Sequence, residues 1–122
     1  KDADVRIRAA QNKLTPPEVL AQLAKDEITD IRVSVVQNTS TSPEVLAQLA
    51  NDKYVYVRES VAWNQSTPPE VLAQLAKDKS PSIRACVAEN KSTPTEALVQ
   101  LASDKDAHVH YCAKNNLSSR NK

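Results

Sequence analysis

Residues 15–38 read TPPEVLAQLAKDEITDIRVSVVQN, and this stretch recurs along the chain in a single register. The first leucine of the VLAQLA segment and its counterparts are 26 residues apart, at Leu20, Leu46, Leu72 and Leu98. The same spacing separates the asparagines that end the copies, Asn12, Asn38, Asn64, Asn90 and Asn116. Because no insertion breaks this register, each copy is expected to occupy an equivalent place in the fold.

Each copy predicts two short helices. The segment Thr15-Pro16-Pro17-Glu18 is typical of a helix start, with Thr15 as N-cap, Pro16 at the first helical position and Glu18 completing a capping box. The apolar residues of VLAQLA then follow at helical spacing. A second amphipathic stretch ends at Asn38, and since the chain has no glycine, asparagine is expected to take the left-handed turn that closes the helix.

Helices of at most about three turns are marginal alone in water, so each pair must pack against the next pair. The sequence therefore predicts an all-α fold, a right-handed α-solenoid of 26-residue two-helix repeats with about nine short helices. The predicted organisation is a single repeat domain with a leading half-repeat, four full repeats and a C-terminal tail, at 1–12, 13–38, 39–64, 65–90, 91–116 and 117–122. Exposed half-repeats would favour end-to-end self-association, and the missing first helix at the N-terminus suggests a piece of a longer array.

Three recurring patterns resemble the leucine-rich repeat variant family, a relative of HEAT repeats. They are the spacing from Asp26 to Arg32, the V/I-R-x-x-V-A-x-N runs at 57–64 and 83–90, and the segment TPPEVLAQLA. The resemblance covers nearly the whole chain and implies a curved superhelix with first helices outside and second helices on the concave face. Founding members carry an N-terminal cysteine cluster that holds an iron-sulfur centre, and this sequence has no such cluster. A redox role is therefore not expected.

Composition disfavours several classes of function. The 16 basic and 15 acidic residues are mixed along the chain, so no strong field would attract nucleic acid or anionic lipid. No apolar run approaches the roughly 18 residues of a membrane span. The start KDADVRIR lacks the apolar segment of a secretory signal, so a cytoplasmic protein is expected. No nucleophile, base and orienting acid recur together, which predicts no enzyme activity and no cofactor.

The second helices vary between copies whereas PEVLAQLA is identical in three first helices. At about 100° per residue, three positions of each second helix project away from the core. Three of the four aromatic residues, Tyr56, Trp63 and Tyr111, occupy these positions, and Tyr54 directly precedes a second helix. Such residues dominate interface hot spots. Recent duplication with diversification, or an engineered library on a consensus scaffold, would produce this pattern.

These features predict a repeat scaffold that binds a protein or peptide through the concave face of the second helices. The expected binding residues are Val33, Gln37, Tyr54, Tyr56, Glu59, Trp63, His108 and Tyr111. One alternative is a nucleic-acid-binding HEAT-like module, which would need a basic strip where this chain has Asp4, Asp30, Glu59 and Glu89. The other is a structural spacer, which the aromatic residues argue against.

Cysteine and arginine residues also recur in the register, and one histidine lies one helical turn from a cysteine. Cys86 and Cys112 occupy the same position in consecutive copies, and stacked helices roughly 8 to 10 Å apart are too distant for a disulfide, so both are expected to be thiols. His108 and Cys112 lie four residues apart and would supply half a metal site. Zinc needs three or four ligands, so no metal site is predicted. Each arginine of the repeated motif, such as Arg32, is expected to pair with an aspartate of its own or the neighbouring copy.

Overall fold

The computed structural model describes residues 2–121, and this part of the chain is all-α, with no strand. Its nine helices are α1 (Ala3–Gln11), α2 (Pro17–Leu23), α3 (Thr29–Gln37), α4 (Pro43–Leu49), α5 (Val55–Trp63), α6 (Pro69–Leu75), α7 (Pro81–Glu89), α8 (Thr95–Leu101) and α9 (Ala107–Arg120). The chain divides into two compact units, Lys1–Val61 and Ala62–Lys122, with the boundary inside α5. No helix in residues 2–121 combines the length and apolar character needed to cross a membrane.

Within each unit, second helices of consecutive copies pack side by side. Helix α1 contacts α3 in the first unit, and α7 contacts α9 in the second. The first helices lie against these pairs, α2 on α1 and α3, and α8 on α7 and α9. Their shared interior is aliphatic, with Leu20 and Ile31 wholly buried in the first unit, and Leu72, Ile83 and Leu98 in the second. Each such side chain contributes about 1.5 to 3 kcal/mol through removal from water.

The threonines that precede the first helices do not cap them as predicted. Helix α2 begins at Pro17, and its N-cap is Pro16, with no side-chain cap bond. The Thr15 hydroxyl instead donates to the carbonyl oxygen of Ala9 at 2.6 Å, in the last turn of α1. The Ala9 oxygen also accepts the backbone N–H of Asn12 at 3.3 Å, and a carbonyl oxygen has two lone pairs, so it can accept both bonds. Threonine therefore connects the end of one helix to the start of the next, and the prediction of a threonine N-cap was wrong here.

The asparagines that end the second helices are not left-handed either. Asn90 has φ −74° and ψ 126°, which is extended backbone, and no residue in 2–121 has a positive φ. The hydrogen bonds of its side chain explain why asparagine recurs at this position of the repeat. The Asn90 Nδ2 group donates to the carbonyl oxygens of Ala62 at 2.8 Å and Asn64 at 3.1 Å, both in the preceding copy. Its Oδ1 accepts the backbone N–H of Ser92 at 2.8 Å.

The same bonds form at two further asparagines. Asn38 donates to Ala10 and Asn12 in the first unit, at 2.8 and 3.0 Å. Asn116 donates to Ala88 and Asn90 in the second, at 2.9 and 3.0 Å. Each of these side chains thus holds the end of one second helix to the end of the previous one. The asparagine recurs for a contact between copies rather than for a turn within one.

The arginines pair with aspartates of the following copy, as predicted. Arg32 is only 6% exposed, and its Nε and Nη2 groups donate to the two carboxylate oxygens of Asp52 at 2.7 and 3.2 Å. Its Nη1 donates to the carbonyl oxygen of Asp26, just after α2. Arg84 makes the equivalent contacts to Asp104 and to the Asp78 carbonyl. A buried charge of this kind is tolerated because an aspartate neutralises it and each of the three guanidinium nitrogens donates a hydrogen bond.

The last helix is longer than its counterparts and continues past Asn116 to Arg120. Other copies have a proline at or just before the start of the next helix, four or five residues after their asparagine, whereas residues 117–122 contain no proline. Arg120 also fixes the extra turn by donating to the Lys91 carbonyl at 2.9 Å and to Asn116 Oδ1 at 3.2 Å. Most of the predicted tail, 117–122, is therefore helical, and residue 122 lies outside the described part of the chain.

Replacing Asn90 by alanine tests the contact between copies. The Asn90→Ala change removes three hydrogen bonds and leaves carbonyl acceptors unpaired in a buried site, so the free energy of unfolding should fall by about 2 to 4 kcal/mol. Asn115→Ala, at an exposed position of the same unit, should change it by less than about 0.5 kcal/mol. Urea unfolding followed by circular dichroism measures both. Equal losses in the two variants would contradict the assignment.

The Arg84–Asp104 pair predicts a dependence of stability on pH. The hydrogen bond from Arg84 holds the pKa of Asp104 below its usual value, and Asp104 in turn raises the pKa of Arg84. A carboxyl group with a lowered folded pKa stabilises the fold at pH above its unfolded pKa, about 3.9, and loses that contribution as pH falls through the folded pKa. The difference in unfolding free energy between wild type and Asp104→Asn should therefore shrink from about pH 6 to about pH 2. Urea titrations that find a constant difference over this range would contradict it.

Candidate functional site

Two of the three outward positions of the second helices are exposed in every described copy. These positions turn away from the packed face because each residue advances about 100° around the helix. The exposed residues are Asp4, Asp30, Tyr56, Ser82 and His108 at the first position, and Gln11, Gln37, Trp63, Glu89 and Asn115 at the third. The diversified side chains of these two positions are therefore available to a partner.

The middle position is less exposed than the helical projection predicts. Ile7, Val33 and Glu59 are half-buried there, Ala85 is buried, and Tyr111 is exposed. The small side chain of Ala85 is 7% exposed at this position, while the large ring of Tyr111 reaches solvent. Of the predicted binding residues, Val33 and Glu59 thus present only part of their surface.

All four aromatic residues of the chain lie at the surface. Tyr56 is 70% exposed, Tyr111 is 62% exposed and Trp63 is 55% exposed, while Tyr54 is about half exposed. The Arg32 guanidinium lies 5.5 Å from the Tyr54 ring centroid and the Lys53 ammonium lies 5.4 Å from it, so both cations contact the ring. Aromatic side chains usually bury a large area in a core or an interface. Here the core is entirely aliphatic, and the rings are left to solvent.

The predicted binding residues fall into two groups, one in each unit. The first unit presents Val33, Gln37, Tyr54, Tyr56 and Glu59 on α3, on α5 and in the turn before α5. The second unit presents Trp63 at the end of α5 and the pair His108 and Tyr111 on α9.

A second cluster lies where α7 ends against α9. Glu89 is the last residue of α7, and His108 and Cys112 lie one turn apart on α9. The Cys112 thiol donates to Glu89 Oε2 at 3.2 Å, and its Sγ lies 3.6 Å from His108 Nε2 and 3.9 Å from His108 Nδ1. One ligand atom from each residue lies within 4.8 Å of those of the other two.

The cluster borders a cavity of about 530 Å³ in the second unit. Tyr111, Asn115, Lys91 and Arg120 also line it, so aromatic, amide and cationic groups surround the cluster. Burial, and then the neighbouring Glu89 carboxylate, raise the pKa of the Cys112 thiol to about 11. Neither Cys112 nor Cys86 forms a disulfide, as predicted.

The equivalent groove of the first unit is smaller and chemically different. Gln11, Ser34, Gln37 and Asn38 line a cavity there of about 160 Å³. Gln11 is the counterpart of Glu89, and Ser34 is the counterpart of Cys112, in each case three repeats of 26 residues earlier. The fold therefore brings these two positions to one groove in both units, and the side chains determine the chemistry of each groove.

The interpretation of the sequence placed His108 and Cys112 on one helical face but missed Glu89. The third residue comes from the preceding second helix, so spacing along α9 alone could not find it. The signal was in the repeat alignment, because the third outward position of one copy lies beside the first outward position of the next.

Comparison with protein-family models, with curated protein sequences and with solved structures found no significant match to this chain.

The exposure of Trp63 can be measured directly because it is the only tryptophan. Its half-exposed indole should emit at the red-shifted wavelength of a solvated ring, and iodide should quench it with about half the efficiency found for the urea-unfolded chain, in line with its 55% exposure. Stern–Volmer titration of the folded and unfolded protein gives both values. A blue-shifted emission that iodide does not quench would show that Trp63 is buried.

Proposed function

We propose that this chain is a non-catalytic repeat scaffold that binds a protein or peptide through the variable face of its second helices. The observation that carries the proposal is the exposure of Tyr56, Trp63 and Tyr111, at positions that differ between copies. Tyrosine and tryptophan are enriched in interfaces, where they supply large contact areas at a small cost in side-chain entropy.

The division between constant and variable residues supports the proposal. The repeated first helices bury Leu20, Leu46, Leu72 and Leu98, so their constancy follows from packing. The first and third outward positions of the second helices carry little packing constraint, since they are exposed in every described copy. Substitutions at these positions can therefore change which partner the scaffold binds without altering its core.

We further propose that the pairs form a right-handed α-solenoid of the leucine-rich repeat variant or HEAT-like type, with the second helices lining its concave face. Two observations support this arrangement. Second helices of consecutive copies are neighbours within each unit, and the spacing of 26 residues from Asn12 to Asn116 is unbroken. Repeats with such nearest-neighbour packing usually present an extended binding surface.

The exposed charges favour a partner of particular chemistry. Asp4, Asp30 and Glu89 occupy exposed positions, and Glu59 is half-buried on α5, the helix that also carries Tyr56. Carboxylates near aromatic rings suit a peptide with basic side chains and an apolar or aromatic anchor, because arginine can stack on a ring and pair with a carboxylate. The same carboxylates would repel the phosphates of a nucleic acid.

Substitution of the exposed rings tests this function. Affinity capture with the wild-type chain should recover a partner whose binding is then measured by calorimetry. Tyr56→Ala and Tyr111→Ala should each raise its Kd by about 30-fold or more, as expected for a hot-spot residue worth about 2 kcal/mol.

Leu14→Ala is the matched control, because Leu14 is 83% exposed but lies in the loop after α1. It should leave the Kd unchanged. Tyrosine variants that bind as tightly as wild type, or an equal loss in Leu14→Ala, would contradict the assigned face.

A further inference from the structure

Glu89, His108 and Cys112 bring three metal-binding groups to one point on the surface of the second unit. His108 and Cys112 share a helical face because they are four residues apart on α9. Glu89 reaches them from the end of α7, the helix packed beside α9. Cys112 is buried, which fixes its sulfur, while Glu89 and His108 are exposed and free to adjust.

The two distances from the Cys112 sulfur are close to those of a tetrahedral metal site, and the oxygen and nitrogen ligand atoms lie within 4.8 Å of each other. Zinc lies about 2.3 Å from a thiolate sulfur and about 2.0 to 2.1 Å from an imidazole nitrogen, so a tetrahedral angle places the two about 3.6 Å apart. The Cys112 Sγ to His108 Nε2 distance is 3.6 Å. The Cys112 Sγ to Glu89 Oε2 distance is 3.2 Å, slightly below the roughly 3.5 Å that a carboxylate ligand would take.

No equivalent set of positions in the other copies offers three ligands. The preceding copies place Trp63, Ser82 and Cys86 at these positions, then Gln37, Tyr56 and Ser60, then Gln11, Asp30 and Ser34. At most one side chain in each of these sets is a common metal ligand. The combination at Glu89, His108 and Cys112 is thus not a by-product of the repeat, and only this set brings together nitrogen, oxygen and sulfur donors.

We propose that Glu89, His108 and Cys112 bind a divalent transition-metal ion of the zinc class, with water as the fourth ligand. Imidazole and thiolate donors select such ions over Mg²⁺ or Ca²⁺, which prefer oxygen ligands. When the ion binds, the Cys112 thiol releases its proton to solvent. A carboxylate, a thiolate and a neutral imidazole then balance the two positive charges.

The site leaves one coordination position open to the cavity beside it. Structural zinc sites are closed by four protein ligands, whereas sites with three protein ligands keep a position for water or an exogenous group. Lys91 and Arg120 line the same cavity, so an anionic group that coordinates the metal would find positive charge nearby. This inference does not rest on the proposed binding of a protein or peptide, and either can fail without the other.

Cobalt binding to the EDTA-treated, reduced full chain tests the proposal. We expect one Co²⁺ per chain, with a thiolate-to-cobalt charge-transfer band in the near ultraviolet and the intense visible bands of a tetrahedral site. Zn²⁺ should then displace the cobalt and remove both signals. A wild-type chain that shows no charge-transfer band would overturn the proposal.

Matched variants identify the ligands. Cys112→Ser should abolish the charge-transfer band, and Glu89→Gln or His108→Gln should weaken Zn²⁺ binding by more than the roughly 10- to 100-fold loss that follows removal of an outer supporting residue. Cys86→Ser and His110→Gln are the controls and should bind as wild type does. Glu89 is exposed, so Glu89→Gln tests the site even if Cys112→Ser does not fold.

The variants can also overturn the assignment. A charge-transfer band that persists in Cys112→Ser, or one that disappears in Cys86→Ser, would place the sulfur ligand elsewhere. Unchanged Zn²⁺ affinity in both Glu89→Gln and His108→Gln would mean that the metal binds outside this cluster.

Discussion

The structure depends on one hydrogen-bonded contact, made by the side-chain amide that ends a second helix to the preceding copy. Asn90 reaches the carbonyl oxygens of two residues, Ala62 and Asn64, and Asn38 makes the same pair of bonds in the first unit. The amide donates to two specific carbonyl oxygens. If one copy slid along the helix of the next in either direction, these buried oxygens would lose their donors. The paired Arg32 and Asp52 add a second fixed point near the other end of the helix.

This fixed register determines which side chains become neighbours. It places the third outward position of one copy beside the first outward position of the next, and an inward position of that next copy between them. In the first unit these positions hold Gln11, Asp30 and Ser34, and in the second they hold Glu89, His108 and Cys112. A constant set of bonds thus creates recurring grooves, and only substitutions at the variable positions give one groove a chemistry of its own. The exposed residues Tyr56, Trp63 and Tyr111 also occupy variable positions.

The helices could be predicted from sequence because their signals are local. Proline entries, the spacing of leucines and the 26-residue register predicted about nine short helices, and residues 2–121 contain nine. The predicted lengths were wrong, because the first helices, expected to be the longer ones at about ten residues, have 7 residues and the second helices have 9 or more. The roles of Thr15 and Asn38 could not be predicted correctly, since their hydrogen-bond acceptors lie in another helix or another copy. Glu89 was missed for the same reason. Residue type and spacing indicated where each side chain sits on its own helix, but not the offset between helices, which the asparagine contacts fix.

Hydrogen exchange of the asparagine side chains is the most direct test of this account. Nuclear magnetic resonance resolves the Nδ2 protons of Asn38 and Asn90, whose side chains lie in buried sites, and those of the exposed Asn115. If the amides join consecutive copies, the Nδ2 protons of Asn38 and Asn90 will exchange as slowly as backbone amides within the second helices, and those of Asn115 will exchange at once. Equally fast exchange at all three residues would show that the contact does not hold the copies in register.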